Sequence, residues 1–114
     1  ESMFGEKIEI YRNCMAIALN PFGADASDRV LAARVADNLL MIEGVAASFA
    51  LVLVGSTVHI SARSNGSINV QLILEELNGG GRYDAAGAQV HDENIGAVLL
   101  KLKHAIDKYI DPEE

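Results

Sequence analysis

The sequence predicts an α/β domain, a mixed β-sheet with helices packed against it in the order β-α-β-β-α-β-α, and three observations carry that prediction. Residues 48–54 form a nearly unbroken apolar run, the mark of a strand covered on both faces. Residues 57–63 alternate strictly, with Val58, Ile60 and Ala62 on one face and Thr57, His59, Ser61 and Arg63 on the other. Between and beyond these strands, apolar residues recur at helical spacing, as Leu31, Val35, Leu39 and Ile42 do.

Taken in order, residues 8–19 are rich in β-formers and carry two short apolar runs, which predicts one strand. Asn20-Pro21-Phe22-Gly23 is expected to break it. Asp25, with Asp28 three residues later, resembles a helix N-cap ahead of the Leu31–Val35–Leu39–Ile42 stripe, and Gly44 is the expected stop. Gly55-Ser56 is a two-residue hairpin turn joining the apolar strand to the alternating one. Arg63 then stands at a strand end, on the polar face, before Ser64-Asn65-Gly66-Ser67. A second helix buries Val70, Ile73, Leu74 and Leu77 and leads into Asn78-Gly79-Gly80-Gly81-Arg82. The small residues Ala85-Ala86-Gly87-Ala88-Gln89-Val90 suit a closely packed last strand. Asp92 is read as the cap of a final helix with Ile95, Val98, Leu99, Leu102, Ile106 and Tyr109 turned inward.

At 114 residues, half of them hydrophobic, the chain is expected to form one domain over 1–114 with a sizeable core. Glu1-Ser2-Met3 does not read as a native start, so the domain is expected to be a piece of a longer protein. The single Cys14 precludes an internal disulfide and fits a reducing compartment. The net charge of −7 argues against an extended nucleic-acid surface, which needs clustered lysines and arginines. From Asp92 onward, six acids meet three lysines, whereas between residues 61 and 90 only Glu75, Glu76 and Asp84 oppose Arg63 and Arg82. A local anion site fits there; a basic groove does not.

Three consecutive glycines give up packing and cost backbone entropy. Two explanations fit the Gly79-Gly80-Gly81-Arg82 run: a helix C-cap, for which one glycine is enough, or a phosphate cradle of bare N–H groups beside a fixed positive charge. The histidines His59, His91 and His104 have no metal-ligand spacing with one another. His59 falls on the polar face of its strand; a structural role is the simpler account of it.

Ile60-Ser61-Ala62-Arg63-Ser64, Ile68-Asn69-Val70, Gly79-Gly80-Gly81-Arg82 and Ala85-Ala86-Gly87-Ala88, in that order, resemble the C-terminal DHH-associated domain of DHH-family phosphoesterases. The stretch from Ile42 to Phe49 is similar to the branch of membrane-anchored cyclic-di-AMP phosphodiesterases, and the resemblance runs over residues 8–110. It implies a substrate-binding domain that grips substrate phosphate through Arg63, Ser64, Gly79, Gly80, Gly81 and Arg82, with Ser61, His59 and Asn69 in secondary roles. It also implies a separate N-terminal DHH domain holding two manganese ions, and no Asp-His-His run occurs here. This chain by itself is therefore expected to be inactive and to hold no metal.

Two positions depart from the family pattern. Its loop ends in histidine where Arg82 stands, and its first glycine is replaced by Asn78. Arginine can hold a phosphate with a permanent charge but cannot shuttle a proton. The expected partners are a cyclic dinucleotide or short oligonucleotide and the DHH domain of the same protein, with a homodimer left open. The expected location is the cytoplasm, with a membrane anchor elsewhere in the longer protein. Two other readings stay open: the same domain in a single-strand nuclease or oligoribonuclease of the DHH family, and a non-catalytic nucleotide-binding or dimerisation module. The absence of tryptophan, with three Tyr and three Phe, weighs against stacking a long strand but not a dinucleotide.

Overall fold

The computed structural model describes residues 8–24 and 28–112. Its elements run β1 (Ile8–Tyr11), β2 (Met15–Ala24), α1 (Asp28–Leu39), β3 (Ala47–Val54), β4 (Thr57–Ser64), α2 (Val70–Glu75), β5 (Gly80–Arg82), β6 (Ala85–His91) and α3 (Ile95–Ile110). The six strands form one sheet in the order β1-β2-β3-β4-β6-β5, with β2 and β3 parallel and every other pair antiparallel. The predicted mixed α/β fold is the fold observed, with two more strands than the sequence suggested.

The first addition comes from splitting residues 8–19 into a hairpin. Arg12 and Asn13 both take left-handed backbone angles, φ 54° and 70°, so the chain reverses and Tyr11 pairs with Met15. The second is β5, because the glycine run lies extended along the sheet edge rather than forming a free loop. The expected break at Asn20-Pro21-Phe22-Gly23 is a register shift within β2 between Asn20 and Ala24, not its end. Among the described residues no helix is long and apolar enough to cross a membrane.

Strand alternation divides the interior in two. One face packs against α2 and α3 and holds the larger core, including Met15, Ile17, Phe49, Leu51, Val58, Ile60, Ile73, Leu74, Leu102 and Ile106. The other face meets α1 through small residues, Ala16, Ala18 and Ala50 against Ala32 and Ala36. Buried Ser48 donates a 2.6 Å hydrogen bond to the Ala36 carbonyl, so the polar atom in this thin layer is satisfied. The α1 stripe is consequently rotated from the predicted one. Ala32, Ala36 and Leu39 are its buried residues, Leu31 and Val35 are half-buried, and Ile42 lies past the helix end and is exposed. The proposed cap at Asp25 lies outside the described residues. Gly44, at φ 91°, sits in the turn after α1, which itself ends at Leu39.

The stripe predicted for α2 and the turn after it is buried; on α3 Val98, Leu102 and Ile106 are buried as predicted, Ala105 joins them, and Ile95, Leu99 and Tyr109 are half-buried against the same core. The cap of α3, however, is Asn94, whose side chain accepts from the Ala97 N–H at 2.7 Å. Asp92 instead sits at φ 62°, its N–H bonded to the Ser56 carbonyl across the sheet end, a geometry incompatible with the extended backbone of an N-cap.

Candidate functional site

On the α1 side, the helix covers only part of the sheet, packing over β2, β3 and β4. Among the described residues, none of the helices is packed over the β6–β5 half of that face as α1 is over β2, β3 and β4. Directly paired residues of antiparallel strands share a face, so the registers define three rows there. Arg63, Ala85 and Arg82 form the first row, Ser61, Gly87 and Gly80 the second, and His59 and Gln89 the third. With strands about 4.8 Å apart, Arg63 and Arg82 stand about 10 Å apart on either side of Ala85. A groove of about 640 Å³ follows the lower rows, lined by His59, Ser61, Asn78, Gly80, Gly87 and Gln89 among others. Two arginines thus flank Ala85 in one row, each beside a carboxylate, Asp37 and Asp84, over a floor of methyl group and bare backbone that leaves room for an anion.

Arg63 is held from behind. Its Nε donates to Asp37 Oδ1 at 2.8 Å and its Nη1 to the Ala62 carbonyl at 2.9 Å. Asp37 belongs to the last turns of α1, so the helix orients the guanidinium at the edge of the β6–β5 half. Five N–H donors are available to an arginine, and these contacts use only two. Arg82 is far more open, its side chain 78% exposed and loosely paired with Asp84 at 3.6 Å. The turn that carries it is fixed by backbone: the Tyr83 carbonyl accepts from Val70 N–H and the Asp84 carbonyl from Ser64 N–H, both at 3.0 Å.

The three glycines separate by function. The turn after α2 is closed at Asn78, which takes the left-handed position at φ 63° while Gly79 N–H reaches the Leu74 carbonyl at 2.8 Å and Asn78 N–H the Glu75 carbonyl. This Schellman arrangement supplies the cap, so the run of glycines is not needed for it. A Cβ at Gly79 would lie 2.3 Å from the Gly87 carbonyl oxygen, and one at Gly81 would lie 2.5 Å from that of Ala85, where φ is also +145°. Both are bare so that β5 can approach β6. A Cβ at Gly80 would meet nothing within 4 Å and would project on the groove side. The fold explains Gly79 and Gly81; it does not explain Gly80.

Among the other residues suggested by sequence, Ser61 and His59 line the groove. Ser64 and Asn69 build the loop beside it. Ser64 is buried, its Oγ accepting from the N–H groups of Gly66 and Ile68, and Asn69 caps α2 by accepting from Leu72 N–H at 3.1 Å. Asn78, Gly87 and Gln89 belong to the groove and are not among the phosphate-binding or secondary residues expected from the sequence. The alternation of 85–90, with Ala85, Gly87 and Gln89 at odd positions and Ala86, Ala88 and Val90 at even ones, is the signal that places Gly87 and Gln89. His91 and His104 are exposed. Among the described residues no group of three His, Cys, Asp or Glu side chains could hold a metal ion, so a manganese site does not fit here.

A family model described as the DHHA1 domain matches residues 15–108. The chain is 43% identical over 104 residues to the cyclic-di-AMP phosphodiesterase GdpP of Bacillus subtilis, a match covering 90% of this chain and 16% of that protein. It is 44% identical over 105 residues to the cyclic-di-AMP phosphodiesterase PdeA of Listeria monocytogenes, covering 91% of this chain and 16% of that one. The chain thus spans about one-sixth of these relatives' length. Among solved structures, an exopolyphosphatase-related protein from Bacteroides fragilis superposes with a TM-score of 0.72 at 20% identity, over 90% of this chain and 31% of the other, a likeness of fold.

Proposed function

The chain belongs to the DHHA1 domain family, and from that membership we propose that it is the substrate-holding domain of a cyclic-dinucleotide phosphodiesterase. The likeness to cyclic-di-AMP phosphodiesterases over nine-tenths of the chain supports the substrate class. The observation that carries the role is the Arg63–Ala85–Arg82 row beside Gly80, two cations flanking a floor free of side-chain bulk. In this reading a substrate phosphate lies over Ala85 and Gly80. Arg63, oriented by Asp37, and Arg82 donate to its oxygens as charge-assisted hydrogen bonds, the stronger class of such contacts. Ser61 and the exposed backbone of Gly80 supply neutral contacts. Gly79 and Gly81 shape β5, while Ser64 and Asn69 keep the adjoining loop in place.

The manganese ions belong, in this reading, to a separate DHH domain of the longer polypeptide, as does any membrane anchor. Bond cleavage therefore takes place elsewhere, and the present residues bind and orient. Arg82 is consistent with that division, since a residue that does not deprotonate can hold a phosphate but cannot relay a proton.

Hydrolysis of cyclic-di-AMP in the presence of manganese tests the proposal. The isolated chain should leave the substrate intact, and the full-length protein should cleave it in preference to a short linear oligoribonucleotide. In the full-length protein Arg82→His should retain activity or raise it. Turnover by the clean isolated chain would place catalytic groups in this domain and sink the division of labour.

A further inference from the structure

We infer that Gln89 reads the nucleobase of the bound nucleotide, and that the base it favours is adenine; this rests on the substrate-holding role proposed above. The inference comes from the order of the rows. Moving from the arginines along β6, Ala85 and then Gly87 present no polar side chain, and Gln89 is the first that does. Alternate residues of a strand are about 6.8 Å apart, so Gln89 lies about 14 Å from the arginine row. A phosphate over Ala85 and Gly80 leaves the ribose over Gly87, where the floor has room for it. The base then falls on the third row, within reach of the Gln89 side chain.

The next row closes the tract. Thr57 pairs with His91, and Thr57 Oγ1 lies 2.9 Å from His91 Nδ1, a joined pair standing across the end of the groove. The span between the cations and this wall is two rows long. Gln89 is exposed, and its amide makes no hydrogen bond to any other described residue. One carbonyl acceptor and one amino donor are therefore available side by side. Adenine presents the complementary pair, an N6 amino donor next to a ring-nitrogen acceptor, on both its N1 and its N7 side, whereas guanine presents a donor beside an acceptor only on its N1–H/O6 side and two acceptors at N7/O6. The amide thus matches adenine with two bonds.

The test is the ratio of kcat/KM for cyclic-di-AMP over cyclic-di-GMP, measured on one preparation of full-length protein so that the folded fraction cancels. The wild-type ratio should exceed one, and Gln89→Ala should lower it about tenfold, within the span of a bidentate base contact. Gln89→Arg, which suits the two acceptors of guanine, should lower it further. Arg63→Ala should depress both substrates by one common factor and leave the ratio where it was. A ratio unmoved by both Gln89 variants, or a wild type that does not discriminate, would overturn the base-reading role while leaving the phosphate reading intact. Failure of the wild type to cleave either cyclic dinucleotide, or an Arg63→Ala variant with undiminished rates on both, would instead overturn the substrate-holding reading, and the role of Gln89 with it.

Discussion

Replacing each glycine of the Gly79-Gly80-Gly81 run by alanine in turn separates folding from binding at single-residue resolution. At Gly79 the new methyl group would sit 2.3 Å from the Gly87 carbonyl oxygen and 2.7 Å from Ala88 Cβ. Backbone obstructs it, so β5 must lift from β6, and forced overpacking of this kind costs about 1–3 kcal/mol. At Gly81 a 2.5 Å approach to the Ala85 carbonyl is joined by a φ of +145°, which adds about 1–3 kcal/mol of backbone strain. At Gly80 no atom lies within 4 Å and φ is not left-handed, so stability should stay within about 0.5 kcal/mol of wild type. Thermal unfolding followed by circular dichroism reads these differences, since 1 kcal/mol shifts the midpoint by roughly 4–8 °C in domains of about 100 residues. The order of midpoints should be Gly80→Ala near wild type, then Gly79→Ala, then Gly81→Ala. In the full-length protein the order of substrate affinity should single out Gly80→Ala as damaged despite its intact fold. A Gly80→Ala protein as unstable as Gly81→Ala would refute the packing geometry. A stable Gly80→Ala protein with unchanged affinity would remove the phosphate from that position.

Three further expectations follow from the same contacts. Arg63→Ala should cost less than about 1 kcal/mol in urea unfolding, because its partner Asp37 is 59% exposed and such pairs are weak, yet lower kcat/KM in the full-length protein by the equivalent of about 1.5–3 kcal/mol; a variant that unfolds would make Arg63 a structural residue. Asn94→Ala should destabilise by about 1 kcal/mol through loss of the α3 cap, whereas Asp92→Gly, at φ 62°, should not destabilise, and the reverse pattern would return the cap to Asp92. The Tyr11 hydroxyl donates to Asp107 at 2.8 Å, and that bond, then burial and the Asp107 charge, raise its pKa above the usual 10.0. The folded state holds this proton more tightly than the unfolded chain, so the stabilisation is complete below the ordinary phenol pKa and is lost as pH rises through the raised one. Absorbance titration should show a late tyrosine component that Tyr11→Phe abolishes; its persistence in the variant would assign it to another tyrosine.

How much could be read from sequence followed from how local each cause was. The alternation of β4 and the buried run of β3 were plain because a period of two shows in one strand without its partners. The β1–β2 hairpin was hidden because its turn uses Arg12 and Asn13 at positive φ, with no glycine to announce it. The buried face of α1 is not legible from its large apolar residues, because a helix lying close to the sheet buries the small side chains of Ala32 and Ala36. Asp92 and Asn94 are both good capping residues two positions apart, and the tie is broken by the Ser56 carbonyl, which is distant in sequence from them. At the site, Arg63 and the glycine run stood out by composition. Their meeting across Ala85 did not, since β5 is three residues long and rich in glycine, and only its pairing with β6 brings Arg82 into the row.

Strand β6 answers to two masters by turns. Ala86, Ala88 and Val90 face the larger core and its helices, while Gly87 and Gln89 face the open groove and Ala85 lies in the arginine row beside it. The outward set is thus free of core packing, although a Cβ at Gly87 would lie 3.2 Å from the Ile60 carbonyl oxygen, and a change at Gln89 leaves the interior untouched. A domain built this way can exchange one ligand for another by surface substitutions on a single strand. Its thermal endurance and its chemical preference can drift independently, so the same frame is a ready starting point for directed selection of new nucleotide specificities.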